Sequence, residues 1–345
     1  MPPAETGLRF TNQLADQRSL TNQIFLNGSG VAAGDVNGDG WCDLYLCGLD
    51  NSNELYLNLG GWRFERVTES AGVACAEQAS TGAALADIDG DGDLDLLVNG
   101  IMSGTRLFLN NGQGRFVERT REFGLASSSG AMSLALADID GDGFLDLYVV
   151  NYRNSTFRDE PEKRFRVVST NGRYELAAID GRPPSEPDLL GRFTVDPATG
   201  VVEHGEADVL FRNVHGKRFE KISWTGGTFL NEAGQPVSVP YDWGLSAMFR
   251  DVNGDGAPDL YVCNDFQSED RFWINDGTGR FRLIGRAALS QTSLFSMGVD
   301  FADLDRDGRD DFFVADMLSR GHARRQTQVM VHGMRPDASE RPQYG

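Results

Sequence analysis

The chain has 345 residues, 41 of them glycine, and a formal net charge of −19 at pH 7. So acidic a chain disfavours nucleic acid and anionic membrane as partners, since both need basic surface, and it suits a protein that holds cations. No run approaches the roughly 20 apolar residues of a transmembrane helix, and Met1-Pro2-Pro3-Ala4-Glu5-Thr6 lacks the basic-then-apolar pattern of a signal peptide.

Along the chain, one Asp-rich segment recurs five times. The copies are Asp35-Val-Asn37-Gly-Asp39-Gly-Trp41-Cys-Asp43, Asp87-Ile-Asp89-Gly-Asp91-Gly-Asp93-Leu-Asp95, Asp138-Ile-Asp140-Gly-Asp142-Gly-Phe144-Leu-Asp146, Asp251-Val-Asn253-Gly-Asp255-Gly-Ala257-Pro-Asp259 and Asp303-Leu-Asp305-Arg-Asp307-Gly-Arg309-Asp-Asp311. Successive starts are 52, 51, 113 and 52 residues apart. A second motif keeps step: Leu55-Tyr-Leu-Asn58, Leu107-Phe-Leu-Asn110, Leu210-Phe-Arg-Asn213 and Phe272-Trp-Ile-Asn275, each followed by a Gly-bearing turn and Arg-Phe. Asn-Gly between apolar runs marks a hairpin. Each repeat therefore reads as four short strands, and four strands per unit of about 40–50 residues is the blade pattern of a β-propeller. The expected fold is all-β, with blades at about 22–68, 80–120, 130–223, 244–285 and 296–345, the last incomplete.

Oxygen ligands at positions 1, 3, 5, 7 and 9 of a loop can wrap a hard cation, with a backbone carbonyl serving at position 7. Here Asp or Asn fills positions 1, 3, 5 and 9 in all five loops, and Gly at position 6 permits the sharp reversal. Position 7 varies (Trp41, Asp93, Phe144, Ala257, Arg309), as a carbonyl ligand allows. Clustered carboxylates repel unless a cation offsets them. An all-oxygen set favours Ca²⁺ over Mg²⁺ or Zn²⁺, so up to five calcium ions are expected, each between the first two strands of a blade. Turn geometry alone would account for one such loop, but not for five in register. An EF-hand would need an acidic residue at position 12 and a helix beyond it. Position 12 is Leu46, Val98, Val149, Val262 or Val314, and strand formers follow position 9.

Residues 151–207 break the period, falling between the second and third strands of repeat three. Strand-like pieces (166–169, 174–179 and 200–203) separate charged and Pro-rich stretches, and such an insertion is a candidate partner-binding element. Asp265, Glu269 and Asp270 read as a polar rim or a site. Tyr241 and Trp243 read as packing, Arg320 to Arg325 as a solvated face, and Cys42, Cys47, Cys75 and Cys263 as buried free thiols. The four histidines (His204, His215, His322, His332) have no ligand spacing, and no Ser-His-Asp order, His-Glu-x-x-His or phosphate loop is present.

These motifs, with Ser296-Met-Gly-Val-Asp-Phe-Ala-Asp-Leu-Asp305, resemble the FG-GAP/VCBS repeats of integrin α-subunit propellers. The closest resemblance is to bacterial relatives of the ASPIC/UnbV, cartilage acidic protein-like family, and it covers about residues 8–345. It implies a seven-bladed propeller with calcium loops at blade edges, of which this chain is an N-terminal portion. Two departures stand out: only five loops are present, and Arg306 replaces Gly at position 4 of loop five. The expected function is a calcium-binding scaffold, extracellular, cell-surface or periplasmic, that binds protein or glycan in adhesion. The alternative is a propeller-type polysaccharide lyase or dehydratase, although no catalytic set is visible. The sequence leaves the oligomeric state open.

Overall fold

The computed structural model describes residues 2–266, 268–285, 293 and 295–317. The first sheet pairs β1 (Val31–Gly34), β2 (Asp43–Leu46), β3 (Glu54–Asn58) and β4 (Phe64–Arg66) in sequence order. The second repeats this with β5 (Ala79–Ala86), β6 (Asp95–Ile101), β7 (Gly104–Asn110) and β8 (Phe116–Glu118). The third begins with β9 (Ala131–Ala137) and β10 (Asp146–Asn151). Before it resumes, the chain makes two hairpins, β11 (Phe165–Thr170) with β12 (Arg173–Ile179) and β13 (Phe193–Asp196) with β14 (Gly200–Glu203). It then returns to complete the third sheet with β15 (Val209–Asn213) and β16 (Phe219–Lys221). The short β17 (Phe229–Leu230) precedes a fourth sheet of β18 (Gly244–Arg250), β19 (Asp259–Asn264), β20 (Arg271–Asn275) and β21 (Phe281–Leu283). A fifth sheet holds β22 (Ser296–Ala302) and β23 (Asp311–Asp316) among the described residues.

Two strands were not evident in the sequence. β13 supplies the partner of the expected 200–203 strand. β17 adds to the fourth sheet in parallel with β21, held there by the packing of Phe229 against Trp224, Trp273 and Phe281.

The chain divides into two compact units, one made of Met1–Asp159 with Gly205–Asp316, the other containing Glu160–His204. In the inserted unit, Ile179, Leu189 and Phe193 form a small core. There the buried Arg192 guanidinium lies 2.8 Å from both Glu160 and Glu203.

In the repeat unit the second strands explain the core. β6, β10 and β19 are buried at every position. Side chains alternate across a strand, so a strand buried on both faces reads as an unbroken apolar run. Leu96 and Val98 join Tyr45, Leu55 and Val36 of the first repeat, whereas Leu97 joins Leu147 and Val149 of the third. Tyr148 and Val150 pack with Leu260 and Val262 of the fourth repeat, and Tyr261 and Cys263 with Phe301 of the fifth. Each of these four core clusters thus lies between neighbouring sheets. The first strands approach closely: a Cβ on Gly82 of β5 would lie 2.9 Å from the Met132 carbonyl of β9. Residues of all five first strands, Val31, Thr81, Ser133, Ser246 and Met297 among them, line one cavity of about 380 Å³.

Hydrogen bonds also tie repeat to repeat. Asn110 Nδ2 donates to the Leu94 carbonyl of its own repeat (3.0 Å) and to the Val36 carbonyl of the preceding one (2.8 Å). Asn213 does the same with Leu145 (3.2 Å) and Ile88 (2.8 Å), and Asn275 with Pro258 (3.2 Å) and Ile139 (2.9 Å). Asn58, in the first repeat, donates to its own Cys42 carbonyl.

Five residues before each of these asparagines stands a second recurring polar group. Asn53 Oδ1 accepts from Gly48 N–H (2.8 Å), and its Nδ2 donates to the Tyr45 hydroxyl (2.7 Å). Asp208 accepts from Asn151 N–H and the Tyr148 hydroxyl, both at 2.8 Å. Asp270 accepts from Asn264 N–H, Tyr261 (2.8 Å each) and Ser296 (2.6 Å). The second repeat has Leu97 in place of the tyrosine, and there Thr105 bonds Asn99 (2.7 Å). Asp270 is therefore neither rim nor site but a buried structural acceptor. So is Asp265, which takes the Tyr152 hydroxyl at 3.0 Å, whereas Glu269 is exposed.

Trp243 is buried against Tyr152 and Tyr241 is half-buried. Cys47, Cys75 and Cys263 are buried, but Cys42 is exposed because it sits in a loop, before the strand begins. His322, His332 and the Arg320 to Arg325 run lie outside the described residues.

Asn213→Ala removes bonds from a fully buried side chain and strips a donor from Ile88 and Leu145. Chemical denaturation should show a loss of about 2–4 kcal/mol, against about 1 kcal/mol for Asn58→Ala, which has no cross-repeat bond to lose. Burial pushes the Asp208 carboxyl up to about 7, the Asn151 and Tyr148 hydrogen bonds and Arg271 only partly offsetting burial and the nearby Asp242. Because this pKa is raised on folding, its contribution to stability is fully present below about pH 4 and is lost as pH rises through about 7. Asp208→Asn, which copies Asn53, should therefore gain stability relative to wild type as pH goes from 4 to 8. Parallel stability–pH curves for the two proteins would contradict this.

Candidate metal centres

All five loops share one hydrogen-bond scheme, set by which backbone N–H groups the tight reversal leaves pointing inward. The position-1 carboxylate accepts from the Gly at position 6: Asp35 from Gly40 (2.7 Å), Asp87 from Gly92 (3.0 Å), Asp138 from Gly143 (2.9 Å), Asp251 from Gly256 (2.9 Å) and Asp303 from Gly308 (3.0 Å). The position-5 carboxylates of Asp39, Asp91, Asp142, Asp255 and Asp307 accept from the N–H of Trp41, Asp93, Phe144, Ala257 and Arg309 at 2.9–3.0 Å.

The position-9 carboxylate is the junction of the repeat. One Asp95 oxygen accepts from Ile88 N–H (2.9 Å), and the other from Asn110 N–H on the third strand (2.8 Å). Asp43 does this with Val36 and Asn58, Asp146 with Ile139 and Asn213, and Asp259 with Val252 and Asn275. Asp311 accepts from Leu304 N–H (3.1 Å). Asp43, Asp95, Asp146 and Asp259 are almost wholly buried. Burial pushes Asp95 and Asp146 up to about 6 even though each accepts two backbone hydrogen bonds. Asp251, by contrast, is held below the usual carboxylate range by the Gly256 N–H and its neighbours.

Carboxylate oxygens of Asp87, Asp89 and Asp95 lie within 4.8 Å of one another, as do those of Asp138, Asp140 and Asp146 and of Asp303, Asp305 and Asp311. Oxygens ligating one Ca²⁺ at about 2.3–2.6 Å can stand that far apart across the ion. These residues therefore fit a hard divalent cation in donor type and spacing. Loops one and four offer Asn37 and Asn253 at position 3. Asp91, Asp142 and Asp307 stand outside the three sets and hold a backbone N–H. The position-7 side chains have no common environment: Trp41 and Arg309 are exposed and Ala257 is buried.

Gly38, Gly90, Gly141 and Gly254 at position 4 have φ between +71° and +82°, and Arg306 keeps that geometry at +66°. A side chain there is strained, which glycine avoids.

The sequence reading overlooked Arg212, the one charged residue in a strand position that holds Leu57, Leu109 or Ile274 in the other repeats. Its Nε lies 3.1 Å from Asp140 Oδ2. An ionic side chain in an otherwise apolar strand was the available signal.

This repeated loop between paired strands defines a class: a profile of the FG-GAP-like repeat matches residues 35–98, 87–149 and 251–314, and the chain belongs to that family. Among its relatives is cartilage acidic protein 1 of Xenopus tropicalis, 30% identical over 196 residues that cover 54% of this chain and 29% of that protein. The human protein of that name is 28% identical over 149 residues, 42% of this chain and 22% of the human one. The chain thus spans less than a third of these relatives. Among solved structures, a lectin of Agrocybe aegerita that recognises non-reducing terminal N-acetylglucosamine aligns at 19% identity and a TM-score of 0.32, covering 82% of this chain and 73% of its own. The V. cholerae biofilm matrix protein Bap1 aligns at 16% identity and 0.29, covering 72% and 37%.

Arg306→Gly should relieve the left-handed strain and remove a positive charge from loop five. A gain of about 1 kcal/mol in stability and tighter calcium binding at one site are expected. A denaturation midpoint and a calcium titration unchanged from wild type would refute both.

Proposed function

We propose that the chain is a calcium-stiffened β-propeller region that serves as an extracellular, cell-surface or periplasmic scaffold for binding protein or glycan, without catalysis of its own. The observation that carries this reading is the five-fold recurrence of one oxygen-rich loop, closed onto its sheet in the first four repeats by a buried position-9 aspartate. Membership in the FG-GAP-like repeat family supports it. So does the cavity lined by the first strands of all five sheets, as expected of blades radiating from an axis. Siting outside the cytosol follows from the chemistry: exposed loops of this kind fill at millimolar calcium, not at cytosolic levels. Among the described residues no helix is long and apolar enough to cross a membrane.

Ligand contact is assigned to the irregular elements, where propellers vary without disturbing the sheets. The β11–β12 hairpin exposes Val167, Val168 and Tyr174, and the first repeat exposes Trp41, Leu59 and Trp62. Apolar groups of this size in solvent are candidates for contact with a protein or a sugar face.

Bound ions stabilise the folded chain by mass action. Adding ~100 times the dissociation constant of calcium should contribute about 2.7 kcal/mol per site, raising the melting temperature, and EDTA should reverse it. Identical melts in calcium and EDTA, with no calcium found by elemental analysis, would defeat the proposal.

A further inference from the structure

Loops two and three both carry Asp at positions 1, 3, 5 and 9, yet they differ in what stands beside position 3. In the first interface, a Cβ on Gly114 would lie 3.9 Å from both Asn37 Cβ and Leu57 Cδ2, so an apolar side chain lies beside the loop. The matching residue is Leu109 in repeat two and Ile274 in repeat four. In repeat three it is Arg212, whose Nε lies 3.1 Å from Asp140 Oδ2 as an ion pair, off the line of a hydrogen bond, so that Nε has no hydrogen-bond acceptor among the described residues. The guanidinium is pressed between that loop and the next repeat: a Cβ on Gly279 would come within 2.9 Å of its Nη2 and 3.3 Å of Ile139 Cγ1. The other Asp140 oxygen is buried with no protein partner among the described residues, which leaves it available to a cation.

We infer that Arg212 is a built-in countercharge for the third loop. It offsets the fourth carboxylate that loops one and four replace with Asn37 and Asn253. It therefore holds the loop and its junction with repeat four together without metal, and it makes the third loop bind a divalent cation less tightly than the second. The part concerning affinity rests on the calcium reading above, because a fixed positive charge a few ångströms from an ion repels it. The guanidinium is partly solvent-exposed, so screening keeps the effect moderate, at about tenfold in affinity.

The test compares the full chain with Arg212→Leu, Arg212→Met and Arg212→Lys. Calcium is titrated against a chromophoric chelator, and thermal melts are run in EDTA. Leu copies Leu57 and Leu109, Met keeps the stem length if Leu packs poorly, and Lys keeps the charge. The expected result is one site tightened about tenfold in the Leu and Met variants, a lower melting midpoint in EDTA for both, and Lys tracking wild type. Folding of a neutral variant only when calcium is present is the same result at its extreme. Titrations of both neutral variants that superimpose on wild type, or that show a weakened site, overturn the inference. Should wild type itself take up no calcium, the scaffold reading falls. The EDTA melts then still decide the countercharge, and an unchanged midpoint in both neutral variants ends it.

Discussion

The structure depends on one buried carboxylate in each of the first four repeats, Asp43, Asp95, Asp146 and Asp259. The position-9 aspartate accepts the N–H of position 2 with one oxygen and the N–H of the third-strand asparagine with the other. A backbone N–H left unpaired in a buried place is costly, so this residue closes the loop and fixes the third strand against the second. The same position-2 residue buries its side chain in the core, as Val36, Ile88 and Ile139 do, and offers its carbonyl to the asparagine of the next repeat. Loop closure, sheet pairing and repeat stacking therefore meet at one residue and its two backbone groups. A cation bound by the same carboxylate would draw on all three at once.

That arrangement gives the acidic loops a structural logic beyond their carboxylate count. Positions 1 and 5 accept N–H groups of the loop itself, so hydrogen bonds within the loop brace the reversal. Position 9 of the first four repeats is different: burial raises the proton affinity of Asp43, Asp95, Asp146 and Asp259, and charge there is costly unless a cation or a donor faces it. The third loop adds its own cation through Arg212, so the repeats need not depend equally on metal.

The end of each sheet away from the loop shows how one task is met by different side chains. Asn53, Asp208 and Asp270 each satisfy one backbone N–H and one tyrosine hydroxyl, whereas the second repeat, with Leu97 for tyrosine, uses Thr105 and Asn99. Asn53 meets its tyrosine hydroxyl as a donor and Asp208 and Asp270 meet theirs as acceptors, because a buried polar group left unpaired is penalised. An amide does the work without a titratable group; a carboxylate does it with a pH dependence.

The sequence by itself determined the repeat, the all-β pattern and the places of the acidic loops. These are local: Asp, Asn and Gly at fixed offsets dictate a reversal, and the strand formers after position 9 dictate a strand, which the structure buries throughout in β6, β10 and β19. The third-strand asparagines were visible as a motif, but their bonds to the preceding loop were not, because 74 residues separate Asn110 from Val36 and 125 separate Asn213 from Ile88. Only the tertiary structure turned Asp265 and Asp270 from candidate site residues into buried acceptors, found the parallel strand at Phe229–Leu230, and set Arg212 against Asp140. In each case partner and residue meet only when sheets stack or strands pair across long stretches of chain. The identity of a side chain tells what it can bond, but neighbouring sheets decide which groups lie within reach.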